Sequence, residues 1–207
     1  MIDRQLQPLL GRVCEGPARW LLARGITADG LTLGGFAIGL AAAGCVAAGA
    51  FGLGLALLLL NRVLDGLDGA VARLAGPTER GAFLDIALDF FFYATVPFGF
   101  ALADPGANGL AATALLLGFM GAGTSFLAFA AVAARRGLSS DAFPHKGIYY
   151  LGGLTEGAET IAFFVVMCLF PAWFPALAWS FAALCLVTTA TRWWWGWRAF
   201  STTVPPA

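Results

Sequence analysis

The sequence predicts an all-α, polytopic membrane protein, with six transmembrane helices preceded by an N-terminal amphipathic juxtamembrane helix. Three observations carry this. The 207 residues are 59% hydrophobic and 12% charged, with a mean hydropathy of +0.80, a composition foreign to an ordinary soluble core. Six apolar stretches reach or approach the length that a ~30 Å hydrocarbon core demands. Eleven of the twelve basic residues fall on one side of the alternating topology those stretches imply, the bias that marks a cytoplasmic face. A single domain spans 1–207, divided into a juxtamembrane segment at 1–29, a six-helix bundle over about 31–195, and a cytoplasmic tail at 196–207.

In chain order, residues 3–24 set Arg4, Arg12, Arg19 and Arg24 among Leu6, Leu9, Leu10, Val13, Trp20, Leu21 and Leu22. That mixture suits a helix lying at the membrane surface, with an interruption expected near Gly16–Pro17. The start, MIDRQLQPLLGRVCEG, lacks the basic, apolar and small-residue regions of a signal peptide, so no cleaved leader is expected. The first span is expected at about 31–49, rich in Gly and Ala and able to pack closely. The second runs over about 52–74, the third 82–103, the fourth 109–134, the fifth 154–170 and the sixth 176–195. GFMGAG in the fourth offers a small-residue contact face. Trp193, Trp194, Trp195 and Trp197 suit an interfacial belt at the end of the sixth.

On this topology the segment before residue 31, the 73–81 turn, the 135–153 loop and the C-terminus share one face, expected to be cytoplasmic. The net charge is zero, and no nucleic-acid partner is expected. Cys14, Cys45, Cys168 and Cys185 form no CxxC pair and read as small packing residues.

One stretch contradicts its apolar setting. Residues 65–89 read DGLDGAVARLAGPTERGAFLDIALD and hold Asp65, Asp68, Asp85 and Asp89. A carboxylate inside a membrane costs about 2.5 kcal/mol or more, so such residues mark function by default. Four of them will not ionise side by side without positive charge between them. Asp65 and Asp68, three apart, share a helix face with Gly69 and Ala72; Gly81, Asp85 and Asp89, each four apart, share another. Gly76–Pro77 signals a turn between the two. Antiparallel helices joined there would bring the acid faces together into an all-oxygen site for a hard cation, Mg²⁺ or Mn²⁺. Arg62, three residues before Asp65, is placed to partner the aspartates or a substrate phosphate.

Asp65-x2-Asp68-Gly69-x2-Ala72-Arg73, seven residues, then Gly81-x3-Asp85-x3-Asp89 resembles the signature of the CDP-alcohol phosphotransferase family, integral membrane enzymes of phospholipid synthesis. The gap between Arg73 and Gly81 is one residue shorter than the commonest family spacing. GITADGLTLGGF resembles the family's Thr-Pro-Asn-x-x-Thr segment, with Thr27 and Thr32 matching and Ala28 and Asp29 replacing Pro and Asn. The resemblance implies transfer of a phosphatidyl group from a CDP-alcohol, with CDP-diacylglycerol as the expected donor, to the hydroxyl of a small alcohol, releasing CMP. It further implies two Mg²⁺ (or Mn²⁺) ions on Asp65, Asp68, Asp85 and Asp89, with Asp89 as the general base. Thr32, Asp29, Gly69, Ala72, Arg73 and Gly81 would lie on the nucleotide side. A homodimer in the inner membrane, among membrane lipids and with its active site facing the cytoplasm, belongs to the same expectation.

The acceptor pocket is expected to draw on Arg62, Arg135, Lys146, Glu156 and Glu159. The basic side chains would suit a phosphorylated polyol, and the glutamates an amine or several hydroxyls. First-turn helix acids are the simpler account of Glu156 and Glu159. Two other classes use similar residues. A metal-dependent hydrolase of CDP-lipids or lipid phosphates would replace the alcohol by water. A divalent-cation carrier would spread acids along a path, whereas here the motif acids gather near one face.

Overall fold

The computed structural model describes residues 2–137 and 153–201, with side chains from residue 13 onward. Seven α-helices and one 3₁₀ turn make up this structure, and no strand occurs among the described residues. The helices are α1 (Ile2–Ala23), α2 (Ala28–Ala47), α3 (Phe51–Ala75), α4 (Glu79–Ala103), α5 (Pro105–Arg135), α6 (Gly157–Leu169) and α7 (Phe174–Ala199), with the 3₁₀ turn at Pro171–Trp173. The last six fall on the six predicted stretches. Among the described residues, four segments are long and apolar enough to cross a membrane: Ala28–Ala47, Glu79–Ala103, Pro105–Arg135 and Pro171–Ala199. α3 has the length, but Arg62, Asp65, Asp68 and Arg73 interrupt its apolar character. α6, at 13 residues, is only about 20 Å long at 1.5 Å per residue.

Several boundaries differ from the expectation for local reasons. α2 starts at Ala28 because the Thr27 side chain accepts a hydrogen bond from Gly30 N and caps it. α1 runs unbroken through Gly16 and Pro17. Its inner face explains the continuity: Ala18 is fully buried with Ala70 and Val71 of α3, and Cys14 and Leu21 pack beside them. Tertiary packing thus offsets the hydrogen bond that Pro17 cannot make. α7 continues to Ala199, past the predicted end near 195, leaving Trp193, Trp194, Trp195 and Trp197 exposed on its last turns. The tail beyond residue 201 and the loop at 138–152 lie outside the described residues.

α2 is the hub of the first half, packing closely on both α3 and α4, while α5 packs on α7 and α4. α3 and α4 lean on α2 far more than on each other. The sharp connection between them depends on Gly76 (φ 97°), in the left-handed region where glycine is favoured, and on Thr78, whose Oγ1 accepts from Gly81 N at 3.0 Å. The shared core is aromatic: Phe92, Phe100, Phe164, Phe174 and Phe181 are buried, with Phe100 and Phe174 stacked at 4.3 Å.

Small residues set the helix spacing. A Cβ at Gly118 would sit 3.0 Å from Cys185 Cβ, and one at Gly121 2.8 Å from Thr189 Oγ1, so the GFMGAG face is a contact with α7. At Gly99 the obstacle is backbone, the Ala43 carbonyl oxygen at 2.7 Å. The Gly99→Ala variant is therefore expected to lose about 1–3 kcal/mol of stability through overpacking. Thermal unfolding in detergent measures this, and an unchanged midpoint would show that α2 and α4 can separate without cost.

Candidate metal centre and active-site cleft

The two acid stripes meet as their spacing predicts, across the gap between α3 and α4. Asp65, Asp68 and Asp85 each place a carboxylate oxygen within 4.8 Å of the others. Asp68 is buried, Asp65 half-buried and Asp85 exposed, so the triad has an inner wall and an open side. They line a cleft together with Thr32 and Gly35 of α2 and with Asn61, Arg62, Leu88, Asp89 and Phe92.

Thr32 partners Asp68, while Arg62 serves both Asp89 and Asp65. Thr32 Oγ1 lies 2.6 Å from Asp68 Oδ2 and 3.0 Å from the Ala28 carbonyl one turn back, within donating distance of both. Its link to Asp68 orients the carboxylate from α2. Asp89 stands apart from the triad: Arg62 Nη1 donates to its Oδ1 at 2.8 Å, and the same nitrogen is 3.6 Å from Asp65 Oδ1. The predicted set of four ligands is thus arranged as three carboxylates together and one held by an arginine. Hard anionic oxygens converging from two helices, with one side open, fit Mg²⁺ or Mn²⁺. Asp65, Asp68 and Asp85 are the residues that would hold such an ion.

Of the residues expected on the nucleotide side, Thr32 lines the cleft, whereas Asp29, Gly69, Ala72, Arg73 and Gly81 are not among its lining residues. Asp29, at the start of α2, accepts from Arg80 Nε at 2.8 Å and pairs with its Nη2 at 2.6 Å. A Cβ at Gly81 would lie 3.2 Å from Asp29 Oδ1, so glycine there leaves the carboxylate its space. The Arg73 guanidinium reaches back over Gly69, 3.3 Å from where a Cβ would sit. Ala72 is half-buried on the same helix.

The acceptor residues are less united. Arg62 is in the cleft. Arg135 is exposed at the end of α5, and Lys146, like His145, lies outside the described residues. Glu156 and Glu159 form a capping box at the start of α6, with Glu156 N donating to Glu159 Oε2 at 3.2 Å and Glu159 N to the Glu156 side chain, which also accepts from Gly153 N at 3.0 Å. Neither lines the cleft as described.

Two residues that the sequence does not single out, Asn61 and Phe92, hold this arrangement, and a third, Arg192, is buried elsewhere. Asn61, buried in α3, donates from Nδ2 to the Gly35 carbonyl at 2.8 Å and accepts from Arg62 Nε at 2.7 Å. Phe92 presents its ring to the Arg62 guanidinium at 4.6 Å. Arg192 does not sit at a membrane face. It is buried in the bundle, where Nη1 donates to the Ala122 carbonyl at 2.8 Å. Only Asn61 left a trace in the sequence, as a lone polar residue directly before Arg62 in an apolar run.

The chain is 55% identical over 196 residues to inner membrane protein YnjF of Escherichia coli (strain K12), a match that covers 95% of each chain. The chain belongs to the YnjF family. No family model matches it. The YnjF-family chain also shares its fold with phosphatidylinositol phosphate synthase of Mycobacterium tuberculosis. A crystal structure of that synthase with CDP-DAG bound matches with a TM-score of 0.73 and 24% identity, over 93% of this chain and 99% of that one. A second, in complex with manganese and citrate, matches with a TM-score of 0.72 and 23% identity, over 92% and 93%. The YnjF-family chain therefore has the fold of that phosphatidylinositol phosphate synthase.

Proposed function

We propose that this protein is a CDP-alcohol phosphatidyltransferase of the inner membrane, transferring a phosphatidyl group from CDP-diacylglycerol to the hydroxyl of a small alcohol with release of CMP. The observation that carries the reading is the carboxylate triad, set in a cleft of a fold it shares with an enzyme crystallised with CDP-DAG. The manganese complex of that neighbour supports a divalent ion here, Mg²⁺ or Mn²⁺. All six helices α2–α7 span the membrane in this reading, α1 lies along its surface, and the cleft opens to the cytoplasm, where the basic residues concentrate. The protein acts as a homodimer.

Asp65, Asp68 and Asp85 hold the metal, which when bound would neutralise the pyrophosphate of the donor. Thr32 keeps Asp68 turned toward the cleft. Asp29, Gly69, Ala72, Arg73 and Gly81 form the nucleotide side, where small residues let the cytidine diphosphate approach the backbone. The acceptor oxygen attacks the β-phosphorus, forming the new P–O bond as the bond to CMP breaks. Asp89, held in position by Arg62, takes the acceptor's proton. Two ions, as the family resemblance implies, would require a second to share Asp89 with Arg62. Arg135, Lys146, Glu156 and Glu159 would contribute to the acceptor side; Glu156 and Glu159 would do so as part of the α6 cap.

CMP release from CDP-diacylglycerol by detergent-purified protein, with Mg²⁺ or Mn²⁺ and a panel of alcohols, tests this directly. Release that requires one alcohol is the expected result and names the acceptor. Release with water alone would replace the transferase by a hydrolase.

A further inference from the structure

The acid cluster has two halves, and one of them already contains a cation. Arg62 stands between Asp89 and Asp65, with Nη1 at 2.8 Å and 3.6 Å from their Oδ1 atoms. Attraction to acids alone would leave such a side chain free to swing away. This one is fixed from other directions. Its Nε is tied to Asn61, and Asn61 is tied to the α2 backbone at Gly35. Its guanidinium lies over Phe92 and beside Tyr93, at 4.6 and 5.7 Å from their ring centroids. Gly39 makes the room: a Cβ there would sit 2.6 Å from the Phe92 ring and 3.1 Å from Asn61 Nδ2. With 16% of its side chain exposed, Arg62 is built into the wall of the cleft.

We propose that Arg62 is the resident cation at Asp89, so that the protein free of its nucleotide donor takes one divalent ion, on Asp65, Asp68 and Asp85, and not two. The inference rests on the metal reading above and refines it. A second ion shared by Asp65 and Asp89 would have to lie in contact with the guanidinium, and like charges in a half-buried site repel strongly. Arg62 cannot shed its proton to make way. It is a positioning residue: it holds Asp89 beside the triad without adding Asp89 to the ligand set.

The test uses the full chain purified in detergent with Mn²⁺ alone as the probe, counting bound ions by equilibrium dialysis and recording their electron paramagnetic resonance. The wild type is expected to bind one Mn²⁺ per protomer with a mononuclear spectrum. Arg62→Gln, which removes the charge and retains a hydrogen-bonding amide, is expected to bind two, with the broadened signal of an exchange-coupled pair. Two ions in the wild type would overturn the proposal, as would a count of one that Arg62→Gln leaves unchanged. The wild-type count decides even where the variant folds poorly. No bound Mn²⁺ in the wild type would overturn the metal site itself, a result distinct from a count of two.

Discussion

The Asp89→Asn substitution is expected to lower turnover by about 10²- to 10⁴-fold, the range for loss of a positioned general base, while Mn²⁺ binding at the triad persists. The reasoning is geometric. Asparagine has the size of aspartate and retains a carbonyl oxygen that can accept from Arg62, whose Nη1 now donates to Asp89 Oδ1 at 2.8 Å. The contact between α3 and α4 is therefore preserved. What disappears is the lone pair that can take a proton at neutral pH, since an amide does not. Because Asp89 stands outside the three-carboxylate cluster, its loss falls on chemistry and not on ion capture. The CMP release rate at saturating donor and acceptor, with a Mn²⁺ titration of the same sample, separates the two. Unchanged turnover would exclude Asp89 as the base, and loss of Mn²⁺ together with turnover would move it into the ligand set.

The separation of Asp89 from the triad also shows where sequence reasoning reached its limit. Periodicity located helices α2–α7, because long apolar runs are a one-dimensional signal. The three-residue spacing of Asp65 and Asp68, the four-residue spacing of Asp85 and Asp89, and the Gly76–Pro77 turn were enough to predict facing acid stripes. They could not say which acid an arginine would take, because that depends on Asn61, Gly35 and Phe92, contributed by three helices. Pro17 misled for the same reason: its local cost is visible in the sequence, whereas the packing of Ala18 on Ala70 and Val71 is not. Glu156 and Glu159, three apart on one helix face, suit first-turn acids and an acceptor pocket equally in sequence, and only the fold shows them as the cap of α6. Arg192 was counted with the membrane-face charges, and only the fold places it inside the bundle.

The paired substitution Asp65→Asn with Asp68→Asn is expected to weaken Mn²⁺ binding by more than about 100-fold, beyond the effect of changing residues that merely support metal ligands, and to take CMP release below detection. Two of the three carboxylates at the triad lose their charge, leaving Asp85, the exposed member, to hold an ion alone. Thr32 cannot compensate, since its contact with Asp68 orients a ligand and supplies no charge. A damaged fold is the competing explanation for lost activity, and the physics gives the two a different sign. Clustered carboxylates repel one another in the metal-free protein, so the double variant should unfold at the wild-type temperature or above it when no metal is present. Added Mn²⁺ should stabilise the wild type by about 2.7 kcal/mol at a hundred times its dissociation constant and leave the variant where it was. Thermal unfolding with and without Mn²⁺ reads both arms in one experiment. A Mn²⁺-dependent rise that survives in the double variant would place the ion elsewhere, and with it the catalytic centre.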